Sequence, residues 1–342
     1  MVFSPVTLRD VARHAGVHPG TASRALNAET RSLVNEQTAH KVLQAAADLG
    51  YRPNPIARGL KTNRSSMIGV LIPDLTNPLF PPIVRGIEDR LATRGYTAVL
   101  ANSDNDQSKE RLHVEMMLAR LVEGFILATA ERDDPLIEDA VASELPVVLV
   151  NRTIDKGRAF SVIGQDKLGS SLAVDHLVGL GHRRIAHIVG PEKFSTGRAR
   201  HEGFVSAMRR HGLEPDPDLI RFGEAFTEDQ GAMRFRELLQ TGKDFTAVFA
   251  GNDLLALGCY DVMAEEGISC PDDISVVGYN DMPLIDKLRP PLTTIRVPQY
   301  DIGVEAASLL LERLDNGDAA PRTVVLQPEL VVRSSTAPPA RP

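Results

Sequence analysis

The first fifty residues carry the hydrophobic spacing of short amphipathic helices. Thr7 and Asp10 fit a capping box at the start of the first helix, and Gly16 can supply the left-handed residue that ends it. Its buried face is predicted from apolar residues at i, i+3, i+4 and i+7, namely Leu8, Val11, Ala12 and Ala15. After a tight turn, Pro19 begins a second helix whose buried side consists of Ala22, Ala25 and Leu26.

A third helix is predicted to start at Asn35 and to stop at Gly50. Its buried face again follows helical spacing, with Val42, Ala45, Ala46 and Leu49. Three short helices therefore predict one small, all-α helical domain over residues 1–50.

From Ser66 onward the pattern changes to apolar runs of strand length, each followed by an amphipathic segment of helical length. The runs are MIGVLI, YTAVLA, GFILAT, PVVLV, RRIAHIV, FTAVFA and ISVVGY. Such alternation predicts parallel β-sheets flanked by helices. Roughly 270 residues are more than a single sheet with its helices usually contains, so two α/β lobes with a cleft between them are expected. The Pro- and Ala-rich residues 337–342 are predicted to be a frayed tail.

The distribution of charge separates these two regions. The whole chain has a net charge of -7, but residues 1–64 hold nine Lys or Arg against four Asp or Glu, net +5. The remainder holds 29 against 41, net -12. A basic head on an acidic body suits a phosphate-binding module, although chance could also produce the asymmetry.

Several other classes of protein are disfavoured. No signal peptide and no run of about 18 apolar residues is present, which predicts a cytoplasmic chain without a membrane span. Cys259 and Cys270 lack CxxC spacing and are expected to be reduced. The chain has no HExxH, GxSxG, GxxxxGK[ST] or GxGxxG motif, so neither catalysis nor a cofactor is expected. The nearest approach to a metal set, His176, His182 and His187, falls on a predicted helix, loop and strand, so no metal is expected either.

The second helix presents side chains that suit double-stranded DNA. Thr21, Ser23 and Arg24 point away from its predicted buried side. Arginine can address guanine O6 and N7 with two parallel hydrogen bonds, whereas hydroxyls suit phosphates or base edges. Arg24 is therefore the first candidate for sequence readout, the alternative being a solvated surface arginine.

Residues 51–64 form a short segment with helix-start signals, in which Asn54 can cap and Pro55 can begin a helix of about two turns. So short a helix is unstable alone. The segment is either a linker or a hinge that folds when paired with its copy on DNA, with Leu60 as a minor-groove wedge.

Together these residues resemble the lactose-repressor and galactose-repressor (LacI/GalR) family. The resemblance rests on TLRDVARHAGVHPGTASRALN, YRPNPIARGL, IGVLIPDLTNPLF, HLVGLGHRRIAHIVG, GRARHEGF, AGNDLLALG, DDISVVGYND and PPLTTIRVP, which span nearly the whole chain. It implies a helix-turn-helix head, a hinge helix, and a core similar to periplasmic sugar-binding proteins. The core is expected over residues 65–336, with an N-lobe of about 65–163 and 297–328 and a C-lobe of about 164–292 and 329–336.

The resemblance also implies roles in DNA binding. Arg24 matches the base-contacting arginine of the family, and Leu60 matches the hinge leucine that wedges into a central base step. The full set of expected DNA-binding residues is Thr7, His18, Pro19, Gly20, Thr21, Ser23, Arg24, Asn27, Asn54, Ala57 and Leu60. Pro19 and Gly20 depart from the family, which often has two polar residues there, so a more tolerant operator is expected at the bases that they face.

Polar residues that directly follow the predicted strands are candidates for a ligand site, because ligands of open α/β sheets bind at the carboxyl ends of strands. The expected effector-binding residues are Asp74, Asn77, Phe80, Asn151, Arg152, Arg198, Arg200, Asn252, Asn280 and Asp281. The resemblance supports Arg200, Asn252 and Phe80 in particular. Each polar residue could instead be an ordinary loop cap.

Two features favour an effector other than a simple neutral sugar. Asn280 stands where many family members have Asp, and Arg152 and Arg198 add positive charge. A carboxylated or phosphorylated ligand is therefore one hypothesis, unless these arginines pair with carboxylates of the body.

The sequence thus predicts a dimeric transcriptional repressor that binds a near-palindromic operator and responds to a small polar effector, a sugar or a sugar acid. The alternative is a solute-binding protein without a DNA function. Relatives include proteins that release DNA with an inducer and others that bind it with a corepressor, so both directions stay open. No heptad-rich extension follows Val332, which favours a homodimer over a coiled-coil tetramer.

Overall fold

A computed structural model describes residues 6–27, 30–51, 65–156, 159–317 and 319–340. The chain divides into two compact units, Met1–Ser65 and Ser66–Pro342. Across the described ranges, no helix is both long and apolar enough to cross a membrane.

The first unit contains the three predicted helices, α1 (Leu8–His14), α2 (Pro19–Leu26) and α3 (Glu36–Asp48), with a 3-10 turn at Arg31–Leu33. Thr7 and Asp10 form the expected capping box, and Gly16 has a φ of 65° in the turn after α1. Asn35 caps α3 by accepting a hydrogen bond from the Gln37 amide. The helices enclose a small core of Val11, Ala12, Ala22, Ala25, Ala39, Val42, Ala45 and Ala46.

The second unit contains two six-stranded sheets. The strands of the first sheet are β1 (Met67–Ile72), β2 (Thr97–Asn102), β3 (Gly124–Leu127), β4 (Val147–Val150), β5 (Phe160–Gly164) and β11 (Thr323–Leu326). They lie in the order β11-β5-β4-β3-β1-β2, and all are parallel. The helices of this lobe are α4 (Phe80–Ala92), α5 (Gln107–Leu118), α6 (Pro135–Ala142) and α11 (Gln299–Asp315).

The strands of the second sheet are β6 (Ile185–Val189), β7 (Ile220–Phe222), β8 (Ala247–Ala250), β9 (Ser275–Asn280), β10 (Thr293–Arg296) and β12 (Glu329–Val331). Their order is β12-β10-β9-β8-β6-β7, and only β12 runs antiparallel to its neighbour. The helices of this lobe are α7 (Asp166–Gly179), α8 (Ser195–Arg210), α9 (Glu228–Gln240) and α10 (Asp253–Glu266), and two 3-10 turns lie at Pro217–Leu219 and Ile285–Lys287.

The predicted fold class, a helical head plus two parallel α/β lobes, is confirmed. The chain passes between the lobes three times, from β5 to α7, from β10 to α11 and from β11 to β12, so each lobe is built from discontinuous segments.

The predicted frayed tail begins too early in the chain. The Ala337 amide donates to Ser275 Oγ at 3.1 Å, and the Ala337 carbonyl oxygen lies 2.9 Å from His182 Nε2. Composition suggested a tail because Pro and Ala are common there, but these backbone bonds hold Ala337 against the second lobe.

Candidate functional site

Two surfaces of the protein carry the residues singled out by the sequence, and the first is helix α2 of the head. His18 is the N-cap of α2, and its Nδ1 accepts a hydrogen bond of 3.1 Å from the Gly20 amide. A neutral imidazole whose Nδ1 accepts must carry its proton on Nε2, so the other edge of the His18 ring is a donor. Pro19 is the first helical residue, as predicted.

Arg24 is exposed on α2, and its Nε donates to the carbonyl oxygen of Gly20, one turn earlier, at 3.2 Å. This bond holds the side chain along the helix while leaving the Nη donors for other partners. Thr21 and Ser23 are half-buried, and Asn27 is the C-cap of α2. Three predicted DNA-binding residues, Asn54, Ala57 and Leu60, lie outside the described residues.

The second surface is a cavity lined by both lobes of the core. Seven of the ten predicted effector residues line it: Asn77, Phe80, Asn151, Arg152, Arg200, Asn252 and Asn280. Leu79, Thr196 and Phe226 complete the lining. The cavity is about 20 Å³, room for about one water molecule, so a ligand of sugar size requires the lobes to separate.

Carboxyl ends of parallel strands position most of these side chains. Asn151 follows β4, Asn252 comes two residues after β8, and Asn280 ends β9. Asn151 and Asn280 have φ values of 66° and 114°, which are uncommon for residues other than glycine. Strained backbone at the mouth of a cavity is typical of a binding site.

The remaining three predicted residues are occupied elsewhere. Asp74 accepts from the amide of Thr76 at 2.8 Å and from its hydroxyl at 2.7 Å, which makes it a loop cap. The half-exposed Arg198 donates to Glu202 at 2.7 Å. These two residues do not belong to the cavity lining, because local partners on the same loop or helix satisfy them.

Asp281 is likewise absent from the lining. Its two carboxylate oxygens accept from Arg296 and from Arg333, each at 2.7 Å. The carboxylate therefore joins β9, β10 and the residues after β12, and it serves the packing of the second lobe.

Arg200 forms the centre of the second-lobe wall and is fully buried. Its Nε donates to Asp166 Oδ1 at 2.8 Å, and its Nη1 donates to the Gly251 carbonyl oxygen at 2.7 Å. Its guanidinium carbon lies 3.8 Å from the centroid of the Tyr279 ring, and Nη2 is 3.4 Å from Asn280 Oδ1. Burial raises the pKa of Asp166, while the adjacent guanidinium opposes that rise. Arg200 thus has a complete set of partners.

Arg152 is the charged residue of the first-lobe wall, and it is equally buried. Its guanidinium carbon lies 3.5 Å from the centroid of the Phe194 ring. Nη1 donates to Asn105 Oδ1 at 3.2 Å and reaches the Thr129 carbonyl oxygen at 3.5 Å. Nε is buried and has no partner among the described residues. Burial lowers the pKa of Arg152 to about 9, so it remains a cation at pH 7.

A buried carboxyl group, Glu110 on α5, lies in the same lobe. Its Oε1 accepts a hydrogen bond from the Thr129 hydroxyl. Burial raises the pKa of Glu110 to about 7, although the Thr129 hydroxyl and Arg152 both oppose that rise. Glu110 is therefore partly protonated at neutral pH.

Residues Thr196, Phe226, Phe194 and Asp166 were not predicted as site residues. The rule that ligand sites lie at strand ends could have found Phe194 and Thr196, because they follow β6 by a few residues. Phe226 follows β7 in the same way. Asp166 follows β5 by two residues, so the same rule could have found it, but its pairing with Arg200, 34 residues away, had no local signal.

Comparison with known proteins matches both units. A family model described as "Bacterial regulatory proteins, lacI family" matches residues 7–54, and a "Periplasmic binding protein-like domain" matches residues 174–336. The ribose operon repressor of Halalkalibacterium halodurans is 35% identical over 330 residues, which cover 96% of this chain and 97% of that protein.

Two solved structures extend the likeness to three dimensions. The lac repressor dimer bound to operator and the anti-inducer ONPF is 30% identical, with a TM-score of 0.87 and coverage of 98% of this chain and 100% of that chain. The transcriptional regulator CelR in complex with cellobiose is 33% identical, with a TM-score of 0.74 and coverage of 96% and 99%.

Proposed function

The chain belongs to the lacI family of bacterial regulatory proteins, and we propose that it is a dimeric repressor whose affinity for its operator is controlled by a small polar effector. It is a transcriptional regulator of that family and not an enzyme. The observation that carries the proposal is the presence, in one chain, of a basic helix-turn-helix head and a core cavity lined by amides, guanidinium groups and aromatic rings.

In the proposed complex, α2 enters the major groove and Arg24 makes the main base contact. The exposed position of Arg24, whose bond to its own helix is made by Nε, supports this role. Thr7, Thr21, Ser23 and Asn27 contact the DNA backbone, and His18 offers a donor from Nε2. Because Pro19 and Gly20 present no side-chain hydrogen-bond donors or acceptors, the bases opposite them are read weakly.

The proposed switch links the cavity to DNA affinity through residues 51–64. Two chains place two recognition helices over successive half-sites, and the paired hinge segments fold there, with Asn54 as cap and Ala57 and Leu60 facing the minor groove. An effector that separates or closes the lobes changes the spacing of the hinges. The proposal assigns the protein to the bacterial cytoplasm and nucleoid.

The proposed effector is a sugar or a sugar derivative in the cavity between the lobes. The relatives named for ribose and cellobiose support this class of ligand. The Asn77, Asn151, Asn252 and Asn280 amides can each donate to and accept from hydroxyl groups, and the Phe80 and Phe226 rings suit the apolar face of a sugar.

A gel-shift assay with DNA upstream of the protein's own gene, with and without candidate sugars, tests the proposal. We expect binding of that DNA by a dimer and a change in affinity with at least one sugar. A solute-binding protein without a DNA function would bind a sugar and leave the DNA unshifted, which would contradict the proposal.

Paired variants test the assignment of Arg24. Arg24→Ala should relax preference at one base pair of each half-site by about 1 to 3 kcal/mol. Arg13→Ala, which removes the same charge from an exposed position on α1, should weaken binding equally across sequences. A selection of binding sites from random DNA should show weak preference at the bases opposite Pro19 and Gly20, and strong preference there would contradict the model of readout.

A further inference from the structure

We propose that the effector carries an anionic group, a carboxylate or a phosphate, and that Arg152 is the residue that receives it. This inference rests on the proposed function of the cavity as the effector site, and it narrows the class of ligand.

The charges of the cavity lining are the first support. Its ionisable members are Arg152 and Arg200, and none of the residues that line it in the described parts of the chain has a carboxylate. Asp166 neutralises Arg200 directly at 2.8 Å. The lining therefore has one cation in excess, and that cation is Arg152.

The partners of Arg152 are the second support. The two acceptors of Arg152 among the described residues, Asn105 Oδ1 and the Thr129 carbonyl oxygen, are neutral, and both accept from Nη1. The stack on Phe194 covers one face of the guanidinium, but its donors all lie in the plane of the group. Nε is buried with its hydrogen unpaired, so the donor edge of Arg152 has unused capacity.

Carboxylates in the same lobe do not fill that capacity. Glu131 pairs with Lys193 at 2.6 Å, and Glu110 accepts from the Thr129 hydroxyl and is partly protonated at neutral pH. Both carboxylates raise the pKa of Arg152 by Coulombic attraction without a hydrogen bond to it, and the charge of Arg200 lowers that pKa. A buried cation is stable when an anion pairs with it, and a ligand can supply that anion.

The guanidinium fork matches carboxylate and phosphate groups equally, because each presents two coplanar acceptor oxygens. The amides around it, Asn77, Asn151 and Asn252, suit hydroxyl groups. A hydroxylated acid is therefore the complementary ligand: a sugar acid or a sugar phosphate.

The experiment is isothermal titration calorimetry of the full chain with matched pairs of ligands. Galactose with galacturonate and glucose with glucuronate test the carboxylate, ribose with ribose 5-phosphate tests the phosphate, and inorganic phosphate tests the anion alone. We expect the acid of at least one pair to bind tenfold or more tightly than its neutral partner, and the pair concerned identifies the anion.

Two variants assign the effect to its residue. The tenfold preference of the parent protein corresponds to about 1.4 kcal/mol of binding free energy. Arg152→Gln should lose most of it and prefer the acid by less than about twofold. Arg198→Gln, which removes the same charge from a half-exposed residue paired with Glu202, should retain the preference. Circular dichroism of each variant controls for folding.

Equal or weaker binding of the acid in every pair, with no binding of inorganic phosphate, would overturn the inference, as would an unchanged preference in Arg152→Gln. These outcomes differ from failure of the proposed function. In that case an acid would bind through Arg152 but would leave the affinity for operator DNA unchanged.

Discussion

The two walls of the cavity each bury one arginine, and the two arginines differ in their partners. Arg152 and Arg200 are 4% and 3% exposed, and each lies less than 4 Å from the centroid of an aromatic ring. Arg200 has a carboxylate, a carbonyl and an amide oxygen as acceptors, whereas Arg152 has two neutral acceptors and an unpaired Nε. Residue type and burial alone therefore do not tell a structural arginine from one available to a ligand.

The contrast between the two arginines also bears on the role that the family resemblance implied for Arg200. Arg200 was expected to bind the effector, and it does line the cavity. Its contacts to Asp166 and Gly251 nevertheless show that much of its hydrogen-bonding capacity holds α7, α8 and the end of β8 together. A ligand at Arg200 must share the guanidinium with these partners.

The largest expected effect is that of Arg200→Gln on stability. The change leaves the Asp166 carboxylate buried without its counter-ion, and breaking such a pair costs about 3 to 5 kcal/mol. Urea unfolding at pH 7 should show this decrease in the free energy of unfolding of the core. Arg198→Gln, at a half-exposed ion pair, should cost less than about 1 kcal/mol.

The double variant Arg200→Gln with Asp166→Asn sharpens this result. It removes both charges, so it should recover most of the lost stability. If the double variant is as unstable as Arg200→Gln, the ion pair is not the reason that Arg200 holds the second-lobe wall together.

The second effect concerns Glu110 in the first lobe. Its pKa is raised from 4.5 to about 7, so the folded state keeps a proton that the unfolded chain has already released. This contribution to stability is complete below pH 4.5 and is lost as the pH rises through 7, at about 1.4 kcal/mol per pH unit. Glu110→Gln should therefore be more stable than the parent by about 3 kcal/mol at pH 8 and equal to it near pH 4.5.

Urea titrations of both proteins across that range provide the measurement. Lower stability of Glu110→Gln at pH 8 would instead indicate that ionised Glu110 neutralises Arg152. Arg152 and Arg200 would then each have a carboxylate partner, and the proposed difference between the two arginines would be wrong.

The third effect concerns His187 in the second lobe, where the free energy of unfolding changes with pH in the opposite direction. His187 in β6 is fully buried, its Nδ1 lies 2.8 Å from the Phe249 carbonyl oxygen, and burial lowers its pKa from 6.5 to about 3. Below pH 6.5 the unfolded chain takes up a proton that the folded state excludes. The free energy of unfolding should fall by about 1.4 kcal/mol for each pH unit below 6.5.

His187→Gln keeps a donor for the Phe249 carbonyl oxygen and does not titrate. Its stability relative to the parent should therefore rise as the pH falls from 6.5 to 5, with the difference at pH 8 serving as the reference. Parallel stability curves for the two proteins would exclude His187 as the source of acid sensitivity.

The smallest expected effect is that of Arg152→Gln without ligand. Because no carboxylate in the described ranges accepts a hydrogen bond from Arg152, its removal should change the free energy of unfolding at pH 7 by less than about 1 kcal/mol, in either direction. Urea unfolding beside Arg200→Gln measures the difference between the walls. A loss as large as that of Arg200→Gln would make Arg152 a structural residue as well.

Much of the fold was predictable because its signals are local. The capping residues Thr7 and Asn35 and the left-handed Gly16 act within four residues of their own position, and each has its predicted role. The alternation of apolar runs predicted parallel sheets for the same reason. Polar residues after strands identified five residues of the cavity, because carboxyl ends of parallel strands share one edge, whereas Arg200 and Phe80 were supported by the family resemblance.

Two of the predictions that differ from the structure, Asp281 and Ala337, concern residues whose partners are distant in the chain. Asp281 follows β9 as the rule requires, but Arg333, 52 residues later, occupies one of its oxygens. Ala337 lies in a Pro- and Ala-rich stretch, yet Ser275 and His182 bond to its backbone.

The sequence by itself determined the alternation of strands and helices, the helix caps and the family motifs, because periodicity and capping are properties of neighbouring residues. Only the tertiary structure decided which arginine of the cavity has a counter-ion. Asp166 reaches Arg200 because α7 and α8 pack side by side, whereas the acceptors of Arg152 among the described residues are neutral. Ion pairing depends on distances of a few ångströms between residues far apart in the chain, and the chain fixes those distances only when it folds.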